Sequence, residues 1–388
     1  MSNTHLSRVP LYEQLAGNLR RSIVEGKFAD GRLPSYSEAM RTYGVALVTV
    51  RKAMDLLEAE GLIDRVQGSG TFVRKQRSTP GRLRNRTQQL CYVSGTATEC
   101  DPGSFFSLLL KGSQAVAEEL GYLEVLAMPR RGEVPIAIER GQVDGILLGG
   151  TYDGGYPVGE FPPNAAEVSE EFVRRLATCG VPVVAMANHT SIPTVHRVVA
   201  DYDDAMRTAV RLLAKNGHRR ISQISGPNGW PGFAEREAAF RRAMSEAGLP
   251  VDEGLIVDYR KQVFMDHDGA REQVSAMLGS GERPTAVVVN SGTPTPALEA
   301  LAAVGLRVPE DMSMICLADA RSLELGSAAP NDPMGPDSVT ALEMPTVEIG
   351  CEGAKRLVRL IEGEVLDSRE LRLKLKLRKG RSVAPPRS

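Results

Sequence analysis

Positive charge gathers where one helix of this sequence already carries its positive end. In VTVRKAMDLLEAEGL, residues 48–62, Val50, Met54 and Leu57 recur at i, i+4, i+7 with Ala53 beside them, the spacing of an amphipathic helix. Arg51 and Lys52 lie towards its amino end, Glu58 and Glu60 at its carboxyl end. Each such placement opposes the helix dipole at roughly 0.3–1 kcal/mol. Phosphate oxygens at the amino end would reverse that cost, since free N–H groups and the dipole there bind anions. The chemistry on offer is recognition of a polyanion rather than bond-making.

The neighbouring residues supply the elements that would position those charges. PLYEQLAGNLRRSIVEG reads as a helix with Pro10 in its first turn, Leu11, Leu15, Leu19 and Ile23 as its stripe, and Gly26 as its cap. In RLPSYSEAMRTYG, Ser35 and Glu38 have the spacing of a capping box, and the short helix should end at Gly44. A turn of about three residues then leads into the charged helix, which makes a helix-turn-helix. LIDRVQGSGTFVRK alternates on both sides of Gly68-Ser69-Gly70 and predicts a β-hairpin bearing Arg65, Arg74 and Lys75. Helix-turn-helix followed by a hairpin is a winged helix.

Charge supports this division. Residues 1–86 carry 15 Lys+Arg against 8 Asp+Glu, whereas the whole chain of 388 residues has a net charge of −1. A basic module joined to an acidic one suggests that only the first meets a polyanion. Residues 9–75 resemble GntR-type winged-helix domains: PLYEQLA, GKFADGRLPS, TVRKAMDLLEAEGLI and QGSGTFV stand in order at that family's spacings. The resemblance implies DNA binding, with Ser35, Ser37, Leu47, Val48, Thr49, Arg51, Lys52, Gly68, Ser69 and Gly70 at or near the duplex. Ser37 stands where the family often has Arg, and Leu47 and Val48 depart from its usual entry into helix three. Both are suited to thymine methyl groups in a major groove.

Residues 75–88, KQRSTPGRLRNRTQ, are basic, polar and broken by Pro80-Gly81, the pattern of a flexible linker. The expected domains are 1–76 for the winged helix, 77–89 for the linker and 90–388 for the remainder. From Leu90, short apolar runs alternate with helical segments, and the rhythm restarts near residue 220. That predicts an α/β fold with parallel sheets covered by helices, in two lobes with a cleft at the strands' carboxyl ends. LRLKLKLRKG alternates Leu371, Leu373, Leu375 and Leu377 and reads as one half-buried strand. His218, in GHRR ahead of a strand, reads as structural.

Residues 90–384 resemble the effector domain of LacI-type repressors, itself similar to periplasmic sugar-binding proteins. DPGSFF, GQVDGILL, GVPVV, NGHRRISQISGP, RPTAVVVNS, GLRVPEDMSMICLAD and MPTVEIGCEGAKRLVRLIEG carry it, and the layout is that of arabinose repressors. It implies transcription controlled by a small molecule, often a sugar. It places Asp101, Phe105, Phe106, Asn188, Trp230, Arg236, Asn290 and Asp319 at the ligand. An Arg fork suits a diol or carboxylate, and an aromatic ring gives a sugar an apolar face to lie on. Three positions where the family usually has carboxylates hold Ala187, Ser291 and Ala318 instead. Carboxylates accept hydrogen bonds from hydroxyl groups, so a less hydroxylated, anionic or larger ligand is expected, or a vacant pocket with control by a protein partner.

The expected partners are double-stranded DNA with a pseudo-palindromic operator, a small-molecule effector such as a sugar or sugar acid, and a second copy of the chain. No cofactor, metal or membrane partner is expected. Cys91, Cys100, Cys179, Cys316 and Cys351 are scattered, and MSNTHLSRVP has no apolar stretch, so a cytoplasmic location is expected. A cytoplasmic solute-binding protein is the alternative. No nucleophile–base pair or paired carboxylates suggest an enzyme.

Overall fold

The structure is a computed structural model that describes residues 10–24, 27–28, 31–59, 62–66, 70–73, 86–94, 105–129, 133–150, 165–226, 231–258, 267–279, 282–289, 294–318 and 339–387. The chain divides into two compact units near residue 84.

The first unit holds helices α1 (Leu11–Val24), α2 (Tyr36–Tyr43) and α3 (Leu47–Ala59), then strands β1 (Ile63–Val66) and β2 (Gly70–Val73). Leu15, Leu19, Ala39, Val50, Ala53, Met54, Leu57 and Ile63 form its core. The expected stripe of α3 is thus wholly buried, and burying such side chains contributes roughly 1.5–3 kcal/mol each. Leu11, expected in the stripe of α1, is instead 62% exposed, and the neighbouring Tyr12 packs against the core in its place. The capping box forms as expected: the Ser35 hydroxyl accepts from the Glu38 N–H, and the Glu38 carboxylate accepts from the Ser35 N–H. Those bonds hold the Glu38 carboxyl below its ordinary value. Gly44 ends α2 at φ +63, a left-handed conformation that glycine adopts without Cβ strain. The expected glycine cap at Gly26 lies outside the described residues. Strands β1 and β2 pair antiparallel, Ile63 opposite Val73 and Val66 opposite Gly70.

Among the described residues the second unit contains two six-stranded sheets. The first lobe uses β3 (Gln89–Ser94), β4 (Leu123–Ala127), β5 (Gly145–Gly149), β6 (Val183–Met186), β7 (His196–Ala200) and β13 (Glu370–Leu373), in the order β13-β7-β6-β5-β3-β4 and all parallel. The second uses β8 (Ile221–Ser225), β9 (Ile256–Asp258), β10 (Ala286–Val289), β11 (Ser313–Ala318), β12 (Thr340–Glu343) and β14 (Lys376–Arg378). Its order is β14-β12-β11-β10-β8-β9, with only β14 antiparallel. Helices α4 (Phe105–Glu119), α5 (Ile136–Glu139), α6 (Ala165–Ala177), α7 (Tyr202–Lys215), α8 (Pro231–Glu246), α9 (His267–Gly279), α10 (Thr295–Ala303) and α11 (Thr346–Ile361) connect the strands.

The C-terminal alternating segment is not one strand. Leu371 and Leu373 lie in β13 of the first lobe, and Leu377 in β14 of the second. The chain therefore crosses between lobes within LRLKLKL, as it also does after β7 and after β12. Alternation signals an extended, half-buried segment but carries no information about which sheet receives each half. His218 is structural, as expected: it is 1% exposed and bonded through Nδ1 to the Thr285 hydroxyl and through Nε2 to the Ala384 carbonyl, each at 2.9 Å. Burial holds its pKa below the ordinary value.

Two glycines let α4 and α11 touch backbone to backbone. A Cβ on Gly112 would lie 2.1 Å from the Val347 carbonyl oxygen, and one on Gly350 would lie 2.1 Å from that of Leu109. Residues 86–88, at the end of the expected linker, are tied to the first lobe. Asp144 accepts from Thr87 N–H, Thr87 hydroxyl and Gln88 N–H, and Arg86 donates to the Ile361 carbonyl.

Candidate functional sites

The first site is the amino end of α3. Thr49 and Val50 N–H both donate to the Ala46 carbonyl, and alanine offers no side-chain oxygen to cap the remaining first-turn amides. The first turn has no acidic residue. Leu47 is 42% and Val48 61% exposed, although both are apolar. Ser37, Arg51 and Lys52 are exposed and Thr49 is half-buried. Lys52 lies 5.6 Å from the centroid of the Tyr12 ring, an arrangement that fixes its stem and leaves the charge at the surface. The Ser35 hydroxyl accepts its capping bond from the Glu38 N–H, which shapes the entry to α2. Gly70 begins β2, while Gly68 and Ser69 lie outside the described residues. Arg65 turns back on its own unit, to Asp55 at 2.6 Å and Glu58 at 3.3 Å.

The second site lies at the carboxyl ends of the strands in the two-lobed unit. Phe105 and Phe106 start α4 as an edge-to-face pair with centroids 5.4 Å apart. Phe106 is buried, and its ring covers Gly150, where a Cβ would lie 2.3 Å from the ring; Phe105 is half-buried. Ala187 follows β6 with φ +53, a left-handed conformation that costs a non-glycine residue roughly 1–2 kcal/mol and tends to occur at functional sites. Asn188, 4% exposed, donates to the Gly150 carbonyl at 2.8 Å and accepts from the Thr190 N–H at 2.9 Å. Its amide thus ties together the loops after β5 and β6.

Arg236, in α8, donates from Nη2 to the Tyr202 hydroxyl at 2.8 Å. Its guanidinium carbon lies 4.6 Å from the Tyr202 ring centroid and 4.9 Å from that of Phe233. Among the described residues its buried Nε has no hydrogen-bond partner. The adjacent Glu235 faces His189 Nδ1 and accepts from Arg372 Nη1 at 2.6 Å, so α8 of the second lobe is bonded to the loop after β6 and to β13 of the first. Burial raises the pKa of Glu235, but His189 and Arg372 outweigh it and bring the value down to about 2. His189 also stacks on Tyr202 with centroids 5.6 Å apart.

Of the residues expected at the ligand, Asp101, Trp230, Asn290 and Asp319 lie outside the described residues. Sequence reasoning missed Tyr202, Phe233, His189, Glu235 and Arg372. Only the run Glu235-Arg236 beside Phe233 hinted at paired roles on one helix. Ala318 ends β11 buried and offers no side-chain acceptor. Among the described residues no group of His, Cys, Asp and Glu could hold a metal ion, and no helix is long and apolar enough to cross a membrane.

Residues 11–73 match the gntR family of bacterial regulatory proteins, and residues 210–383 match the periplasmic binding protein-like domain. The chain is 24% identical over 369 residues to the arabinose metabolism transcriptional repressor of Geobacillus stearothermophilus, covering 92% of this chain and 93% of that one. It is 31% identical over 210 residues to catabolite control protein A of Priestia megaterium, 53% of this chain but only 58% of that protein's length. The solved complex of the transcriptional regulator CelR with cellobiose aligns with a TM-score of 0.63 at 24% identity, covering 97% of this chain and all of that one. The transcription regulator CcpA of Lactococcus lactis aligns at 0.58 and 21%, covering 77% of this chain and 100% of that one.

Proposed function

We propose, from the premise that this chain joins a GntR-type winged helix-turn-helix to a LacI-type periplasmic-binding-protein-like domain and is a ligand-controlled DNA-binding transcription regulator, that it is a repressor released by an acceptor-rich small molecule. A sugar acid or similarly anionic compound fits that description. The observation that carries the ligand class is the chemistry of the described cleft residues. Arg236 offers donors, whereas Ala187 and Ala318 offer no side-chain acceptor and the Asn188 amide is engaged with backbone. Such a lining favours carboxylate oxygens over a ring of hydroxyl donors. Two relatives that align over 92% of this chain are named arabinose metabolism transcriptional repressors, which supports repression.

The working unit is a dimer that places two α3 helices on a pseudo-palindrome. The edge strand β4 supports this: Leu123 is 63%, Leu126 38% and the following Met128 48% exposed, an apolar edge suited to a second copy. Leu123→Glu should shift the sedimentation of the chain towards monomer. The ligand acts by preferring one lobe arrangement and thereby one spacing of the readers; equal affinity for both would change nothing.

The test is binding of the full-length protein to its own upstream DNA at stated salt, with and without a panel of sugars and sugar acids. Release by an acidic member and not by neutral sugars is expected. Release only by a neutral sugar would overturn the ligand class, and binding indifferent to every compound would overturn ligand control.

A further inference from the structure

Arg32 lies outside the two helices expected to touch the duplex, yet the backbone makes it part of the wing. Leu33 N–H donates to the Thr71 carbonyl at 2.9 Å and Val73 N–H to the Gly31 carbonyl at 2.7 Å. Arg32 pairs with Phe72 in an isolated antiparallel bridge between them. Residues 31–33 thus form a third, short rung beside β2. On such a rung Arg32 shares a face with Phe72, directly opposite, and with Gly70, two residues along β2.

The side chain follows that geometry. The Arg32 guanidinium carbon lies 5.9 Å from the Phe72 ring centroid. Its flat side rests on Gly70, where a Cβ would stand 3.2 Å from Nε and 3.3 Å from Nη2. Gly70 has φ +124, so its lack of a side chain both allows the backbone and makes room for the guanidinium. Arg32 remains exposed. The charge of Arg65, the other described arginine of the hairpin, is compensated by Asp55 and Glu58. Ser37 occupies the helix-two position where GntR-type readers often have arginine.

We propose that Arg32, held on the wing by Phe72 and Gly70, is a DNA-contacting residue that binds a backbone phosphate of the operator. The proposal rests on the DNA-binding reading of this unit. Platform and cleared space hold an extended guanidinium in one place, so little side-chain freedom is lost on contact. A phosphate contact carries no sequence information itself and sets how the reader sits on the duplex.

The experiment uses the full-length chain and a duplex that the wild-type protein selects from a random-sequence pool. Affinities of wild type, Arg32→Ala, Arg32→Lys and Phe72→Leu are measured between 50 and 200 mM salt. Arg32→Ala should weaken binding about tenfold or more, as loss of a charge-assisted bond requires. Its slope of log K against log salt should fall in magnitude by about 0.9. Arg32→Lys should restore the slope, and Phe72→Leu should keep the slope while losing roughly two- to fivefold in affinity. Unchanged affinity and slope in Arg32→Ala would overturn the proposal, as would a loss confined to particular sequences with the slope unaltered. Failure of the wild type to select any duplex would instead sink the DNA-binding reading. An unchanged melting temperature for Arg32→Ala is expected of an exposed side chain and separates contact from fold.

Discussion

The guanidinium of Arg236 and the phenol of Tyr202 meet twice: Nη2 donates to the hydroxyl at 2.8 Å, and the guanidinium carbon lies 4.6 Å from the same ring. One contact fixes the plane of the arginine and the other its rotation within that plane. Tyr202 opens α7 at 2% exposure, so the acceptor is itself held rigidly.

Tyr202→Phe keeps the ring and removes the acceptor. It should cost about 1.5–3 kcal/mol, the range for a hydrogen bond to a charged group, and lower the melting temperature by a few degrees. Arg236→Lys retains the charge without the planar fork and should abolish release by the effector while leaving DNA affinity unchanged. Titrations of the effector against both variants check this; wild-type release by Arg236→Lys would remove this residue from the ligand site.

Leu47 and Val48 are exposed on the first turn of α3, so their truncation should change stability by no more than about 0.5 kcal/mol. If they pack on thymine methyl groups, Leu47→Ala and Val48→Ala should each weaken operator binding by roughly tenfold, about 1.4 kcal/mol. Replacing the contacted thymines by uracil should weaken wild-type binding to the same extent and leave the double variant unaffected. Indifference of the wild type to uracil would refute methyl contact.

The crossing of α4 and α11 should tolerate no side chain at its centre. A Cβ on Gly112 or Gly350 falls 2.1 Å from a carbonyl oxygen, and backbone cannot step aside as a flexible side chain would. Gly112→Ala and Gly350→Ala should each destabilise by about 1–3 kcal/mol or more, as overpacking does. Chemical denaturation would measure it, with Gly121→Ala as a comparison whose Cβ meets nothing but whose φ of +79 still adds strain.

Glu124, whose Oε1 accepts from the Ser113 hydroxyl at 3.0 Å, should make stability depend on pH near neutrality. Burial raises its pKa from the ordinary 4.5 to about 7, against the opposing pull of that hydrogen bond. A folded-state value above the unfolded one contributes stability that is complete below about pH 4.5 and lost as pH rises through about 7. Glu124→Gln keeps a neutral side chain, so its melting temperature relative to wild type should be higher at pH 8 than at pH 5. Parallel pH profiles for the two proteins would show that Glu124 titrates normally.

Much of the first unit was legible in the sequence because its signals are local. The stripe of Val50, Met54 and Leu57, the Ser35–Glu38 box and the stop at Gly44 each depend on residues within two turns of one another. The two-lobed α/β plan was legible for a related reason: strands buried on both faces read as continuous apolar runs, whatever their neighbours.

What the sequence by itself determined, then, is the type of each element and the sign of the charge at each end of α3. Tertiary structure alone decided that Leu371 and Leu377 enter different sheets and that the Asn188 amide is engaged with backbone. It also decided that Arg236 docks on Tyr202, 34 residues away, and that Arg32 docks on the wing. Helix and strand periodicity arise from neighbours along the chain. The partner of a buried polar group or a strand edge is chosen by which segments arrive beside it, and one-dimensional spacing does not encode that.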